Sequence, residues 1–310
     1  MNSVIAYAVL CGILSAILLG AINTLGLYGV LTPFVPLMPI LWMGLTRGVV
    51  PLAISAAISF LLLFLMVDGD TAVLYGATQL FTTVIFVREL MKLEVDDITG
   101  DIRWAPAGHA FVGVTLFAAI VCVLILLLAP DVYETAIGAI RRDLSPEIAG
   151  MDPEVAARFK TVLGKIPHIL LALELWVWSL LLYGFAALVN FGAASYGRVI
   201  RPSLILKPFF PPTYLFIALV LTGLASFFVP ERGGVLCQTL SIIFLLPYFV
   251  SGIGHIHAYL MKWKHRQIWT GLFYFFVVFA QWPVIFITLY GLSVHIGYFW
   301  KSSGNGSQPR

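Results

Sequence analysis

Charge is scarce in this sequence. Across 310 residues there are 18 basic and 15 acidic side chains, 11% charged in all, against 60% hydrophobic. A soluble globular protein carries about 25% charged and 45–50% apolar residues, so a fully water-exposed surface is excluded. The net charge of +3 is too small to build the basic face that a nucleic acid requires. Cysteine is scarce too. Cys11, Cys122 and Cys237 each lie inside an apolar run, with no Cys-x-x-Cys pair. They read as small membrane-embedded side chains, neither disulfides nor metal ligands.

Catalytic signatures are missing as well. The chain has no Gly-rich phosphate loop, no His-Glu-x-x-His and no Gly-x-Ser-x-Gly. No pair of carboxylates sits inside an apolar run, so the chain is read as a non-enzyme without cofactor or metal. The acidic stretch Glu94, Asp96 and Asp97, with Asp101, reads as a solvated turn. The start, Met1-Asn2-Ser3, lacks the basic stretch of a cleavable signal, and the apolar run behind it is too long for one. That run is expected to remain as a span.

Apolar length is what the sequence has in abundance. A helix needs about 20 mostly apolar residues to cross roughly 30 Å of hydrocarbon, and the absence of water there forces backbone groups to pair internally. The expected class is therefore an all-α, polytopic transmembrane bundle of about eight to nine spans. The spans are read at 4–27, 31–45, 49–67, 71–87, 110–128, within 166–196, and at 213–229, 235–260 and 268–292. The second is short and carries Pro33, Pro36 and Pro39, so it is either broken or re-entrant. Pro247 and Pro283 predict kinks in the last two. Residues 1–300 form one membrane domain, and the polar tail 301–310 is expected to be disordered.

Basic residues in short loops set orientation. Arg47, then Arg88, Lys92 and Arg103, then Arg198, Arg201 and Lys207, then Lys262, Lys264 and Arg266 fall in alternate loops. These loops share one side, taken as cytoplasmic, which places the N-terminus inside if the second stretch crosses and outside if it does not. The segment 130–165 is then an outer loop. Within it Asp152-Pro153 starts a helix, with Val155, Phe159, Val162 and Leu163 on one face. That helix lies on the membrane surface, as a cap on the bundle or as a lid.

Polar groups inside spans are costly, and each is a site hypothesis. Glu174 is the one acid embedded in an apolar run; it either meets a solute or sits at the interface. Trp178, four residues on, shares its helical face. Asn23, Gln79 and Asn190 are neutral polar residues within spans, fit either to bind a small solute or to join helices. His255 and His257 form a possible proton or polar site near the end of a span. Two residues apart, they point in different directions and do not chelate one metal well.

Three stretches carry a family likeness. They are Pro36-Leu-Met-Pro-Ile-Leu-Trp-Met-Gly-Leu-Thr-Arg-Gly48, Phe209-Phe-Pro-Pro-Thr213, and Leu246-Pro-Tyr-Phe-Val-Ser-Gly-Ile-Gly-His-Ile-His-Ala258. Through them the chain resembles the YybS-like family of bacterial membrane proteins over roughly residues 5–292. That family is similar to the S-components of energy-coupling-factor transporters. The resemblance implies a helical core binding a small solute near the outer face of the bacterial inner membrane. It also implies a coupling subunit with ATPases as partner, and Glu174 near the pocket. The chain departs from that pattern by about three further spans, by the 130–165 loop, and by having no vitamin-specific motif. The expected function is small-solute binding or uptake. The alternative is a membrane scaffold or assembly factor without a ligand; a membrane enzyme, for which only His255 and His257 speak, is a less favoured third class.

Overall fold

A computed structural model describes residues 2–25, 32–66, 69–95, 100–128, 166–201, 203–280 and 282–304. Helices dominate it, as the apolar runs require. Helix α1 is Asn2–Leu25, α2 Leu37–Arg47 and α3 Val49–Met66. Helix α4 (Gly69–Tyr75) passes through a π turn, Gly76–Leu80, into α5 (Phe81–Leu90), so the three make one rod. A small hairpin of β1 (Leu93–Val95) and β2 (Ile102–Trp104) follows, with Glu94 opposite Arg103. Then come α6 (His109–Leu128), α7 (Ile166–Ser195), α8 (Thr213–Phe228), α9 (Glu231–Leu260), α10 (Arg266–Ala280) and α11 (Pro283–Gly304).

Five of these helices are long and apolar enough to cross a membrane: α1, α3, α7, α9 and α11. Stretches of α6 and α8 are apolar but shorter. The outward surface is greasy, with Phe227 and Phe228 more than 80% exposed. A monomeric soluble protein rarely carries so much contiguous apolar surface.

Three expectations meet the structure. The stretch 31–45 holds the short, interrupted element that its prolines suggested. Its helix α2 has 11 residues, about 17 Å at 1.5 Å per residue, and is enclosed by α1, α3, α5 and α7. Leu37, Ile40, Leu41 and Leu45 are wholly buried along one face, while Met38, Pro39, Trp42 and Thr46 opposite are half-buried, the pattern of an amphipathic helix. It ends where Gly48, at φ 96°, donates its N–H to the Gly44 carbonyl at 3.0 Å. That left-handed turn suits glycine and lets α3 start at once.

One reading is corrected: 268–292 is two helices instead of one kinked span. Proline has no N–H and fits the first turn of a helix far better than its interior. Pro283 accordingly opens α11, and α10 stops at Ala280. α11 continues through Gly304, four residues into the stretch read as the polar tail. The 130–165 segment and its amphipathic helix lie outside the described residues, as do 305–310.

Packing joins two groups of helices. α1 lies along α3, and both contact α2. α9 is central to the other group and touches α6, α7, α8 and α11. The α1–α3 contact uses small residues. A Cβ on Gly12 would come within 2.5 Å of the Ser55 carbonyl oxygen, so the backbones approach closely, as small side chains permit within membranes. Ser55 Oγ donates to the Ala8 carbonyl at 2.9 Å, and Ser59 Oγ to Ser15 Oγ at 3.1 Å. Interhelical hydrogen bonds of this kind average about 0.6 kcal/mol. Ser59→Ala is therefore expected to lower stability by about 0.6 kcal/mol, measured by denaturing-detergent titration. A loss above about 2 kcal/mol would show the pair to be far more than local glue.

Candidate functional site

The rod formed by α4, the π turn and α5 holds the most unusual polar content of the bundle. Tyr75, Gln79 and Thr83 follow one another at intervals of four along it. Tyr75 is 4% exposed and Thr83 fully buried, yet neither hydroxyl makes a hydrogen bond, and the buried Oε1 of Gln79 makes none either. The Ser15 hydroxyl lies near the Tyr75 hydroxyl, outside hydrogen-bond geometry. On α6 the buried Thr115 hydroxyl is also unpaired. An unmade hydrogen bond in such surroundings costs about 1–3 kcal/mol. Most buried polar atoms are satisfied in folded proteins, so a row of three along one rod is a site signal. The π turn lies within the row, and single-turn π segments occur often at functional sites.

The residues singled out from the sequence do not all gather here. Gln79 belongs to the row. Glu174 is exposed on α7. Trp178 packs its ring on Phe34 with centroids 4.1 Å apart, so it contributes to the core around α2. Asn190 is 5% exposed, with its Oδ1 unpaired. Asn23 lies on α1, and its side chain is outside the described residues. His255 and His257 are partnered separately. The first holds the Ser251 carbonyl through Nδ1 at 2.8 Å, and the second meets the Tyr274 hydroxyl at 3.2 Å. Among the described residues no group of three His, Cys, Asp or Glu could hold a metal ion.

A second constellation lies at one end of the bundle, where the extended connector 203–212 runs between α7 and α8. All three of the family-like stretches converge on this α7–α8 connection. The Ile200 N–H donates to the Leu45 carbonyl at 3.2 Å, beside the Arg47-Gly48 turn. Ser251 Oγ donates to the Phe209 carbonyl at 2.7 Å. Phe210 lies between the rings of His255 and Tyr298. At the centre is Arg201, only 4% exposed. Its Nη2 donates to the Ala105 carbonyl at 2.8 Å, its Nε to the Ser203 carbonyl at 3.0 Å, and its Nη1 to the Leu90 carbonyl. Burial lowers the guanidinium pKa, and the nearby Tyr183 and Glu94 oppose that shift. An arginine starts so high that it stays charged. Glu94 in turn meets His109 at 3.1 Å. This knot ties the α2–α3, α5–α6 and α7–α8 connections together, three of the loops whose basic residues suggested a common side.

Sequence reasoning missed Arg201, Tyr75, Thr83 and the α9–α11 pair Tyr248 and His295. The last two are buried with unpaired polar atoms and rings 5.4 Å apart. A spacing of four from Gln79 was the available signal for Tyr75 and Thr83. A helix-breaking connector rich in proline was the signal for Arg201. No protein-family model, curated protein or solved structure matches the chain.

Proposed function

We propose that this chain is a transport-associated membrane protein that binds a small polar solute between α1, the α4–α5 rod and α6. The observation that supports it most is the row of buried oxygens Tyr75 Oη, Gln79 Oε1 and Thr83 Oγ1, each without a partner within hydrogen-bond geometry. A solute bearing hydroxyl or amide groups would satisfy them and remove a standing cost. In this reading the bundle has eight to nine spans, an S-component-like core in a bacterial inner membrane and, with 31–45 returning across the bilayer as a broken element, a cytoplasmic N-terminus. A coupling subunit with ATPases docks at the basic end. Glu174 is left as an interfacial residue unless the 130–165 loop turns it toward the solute.

The test is heat stability of the purified chain against vitamins and nucleosides. A ligand at 100 times its dissociation constant should add about 2.7 kcal/mol of stability. Gln79→Leu should abolish that gain while changing the ligand-free protein by less than about 1.5 kcal/mol, as for a change of similar volume. No gain with any candidate, or a gain that survives Gln79→Leu, would refute the proposal.

A scaffold without a ligand is the second reading. The hairpin favours it, because Leu93, Val95 and Ile102 are each more than half exposed. A cross-link from this hairpin to one dominant protein, with function intact in Gln79→Leu, would select that reading.

A further inference from the structure

We propose that the loop between α9 and α10 is a headgroup site for anionic phospholipid. Residues 261–268 enclose an open cleft of about 530 Å³, with Lys262, Trp263, His265 and Arg266 on its wall. These side chains and Lys264 are all exposed. After Glu231 the sequence has no Asp or Glu at all. None of the three cations takes part in an ion pair among the described residues. The loop is thus a concentrated positive charge with no acidic partner among the described residues.

The neighbouring groups specify a lipid over a dissolved anion. Trp263 sits edge-on to both Tyr259, at 5.7 Å, and Trp269, at 5.4 Å. Trp and Tyr concentrate at headgroup depth, where one end of the ring is apolar and the other wet. Beyond the loop, α10 presents Ile268, Phe275, Phe276 and Phe279 outward. It has 15 residues, about 22 Å, and cannot match a layer of roughly 30 Å. A stretch that short is accommodated by local thinning or by flanking cations reaching to the interface. Either response holds Lys262, Lys264 and Arg266 among the phosphates and away from bulk water. His265, with φ at 63°, shapes the turn: its carbonyl accepts the N–H groups of Ile268 at 3.0 Å and Trp269 at 3.4 Å. Three cations at such a surface give a preference on the order of 100-fold for anionic over zwitterionic lipid.

The inference rests on the chain lying in a bilayer and is independent of the solute site. Alkaline carbonate washing tests the bilayer separately, since a chain that stays in the pellet can still fail to discriminate lipids; release into the wash overturns both. The direct measurement is native mass spectrometry of the full chain titrated with phosphatidylglycerol, phosphatidylcholine or inorganic phosphate. Phosphatidylglycerol should bind at least tenfold tighter than phosphatidylcholine. The triple variant Lys262→Gln, Lys264→Gln, Arg266→Gln should lose that difference. A control with Arg88→Gln, Arg103→Gln and Arg198→Gln should keep it. If the triple variant does not fold, Lys264→Gln alone should weaken binding two- to fivefold. Equal binding of the two lipids, equal loss in the control, or full competition by inorganic phosphate would each overturn the proposal. So would a wild-type preference unmoved by the loop substitutions.

Discussion

Arg201→Met is expected to lower stability by about 3–5 kcal/mol, because it leaves three carbonyls without the donor they share. The side chain is almost wholly buried, and its planar fork serves three carbonyls from three segments: Leu90 at the end of α5, Ala105 after the hairpin, and Ser203 in its own connector. Methionine matches the length of the stem but offers no donor. Three carbonyls would then lack a partner, each costing about 1–3 kcal/mol where water does not reach. The sum is softened because the knot lies at an end of the bundle. The Trp104 ring, 5.8 Å from the guanidinium carbon, adds a contact that methionine keeps only in part. Arg201→Lys should recover less than half of the loss, because an ammonium presents three donors from one point and cannot span the same fork. Denaturing-detergent titration measures the stability, and proteolysis near 198–212 reports whether the connector is released. A methionine variant within about 1 kcal/mol of wild type would mean that the arginine is ornamental to the knot.

This residue also marks the limit of sequence reasoning here. Arg201 was legible only as one more loop cation, useful for orientation. A solvated arginine and a buried one look alike in sequence, because burial depends on where Leu90 and Ala105 end up. Long apolar runs were readable since membrane crossing is a local property of about 20 residues, and α1, α3, α7 and α9 fall where those runs predicted. The break between α10 and α11 was not readable from hydropathy. The run from Ile268 to Leu292 stays greasy across Gln281-Trp282-Pro283, and only the backbone chemistry of proline decides between a kink and a new helix. Gln79 stood out because an amide is expensive in hydrocarbon. Tyr75 and Thr83 did not, because a hydroxyl on a span commonly bonds its own helix, as Thr82 does to the Thr78 carbonyl. What sets Thr83 apart is the missing partner, a tertiary fact.

Gly291→Ala is expected to cost about 3 kcal/mol, the upper part of the range for overpacking a well-filled contact. Here α11 crosses α9 at backbone distance. A Cβ on Gly291 would collide with the Tyr248 carbonyl oxygen and lie 2.8 Å from the Gly252 nitrogen, both main-chain atoms. No rotamer change can relieve that, so the two helices must part. Gly252 faces the Ile287 carbonyl in the same way, and Gly252→Ala should cost a similar amount. The double variant should cost clearly less than the sum, since helices already separated by one methyl accommodate the second, the non-additivity expected of residues sharing one contact. Gly271 on α10 supplies the control. Nothing lies within 4 Å of where its Cβ would be, so Gly271→Ala should be neutral or stabilising by up to about 1 kcal/mol through helix propensity. Separation of α9 from α11 would also pull the Tyr248 ring from His295 and open two buried unpaired groups to water. Cysteine pairs placed across the crossing would read that separation directly. If Gly291→Ala and Gly271→Ala proved equally harmless, α9 and α11 would have to cross at a greater distance than the glycines imply, and the central place of α9 in the bundle would need another cause.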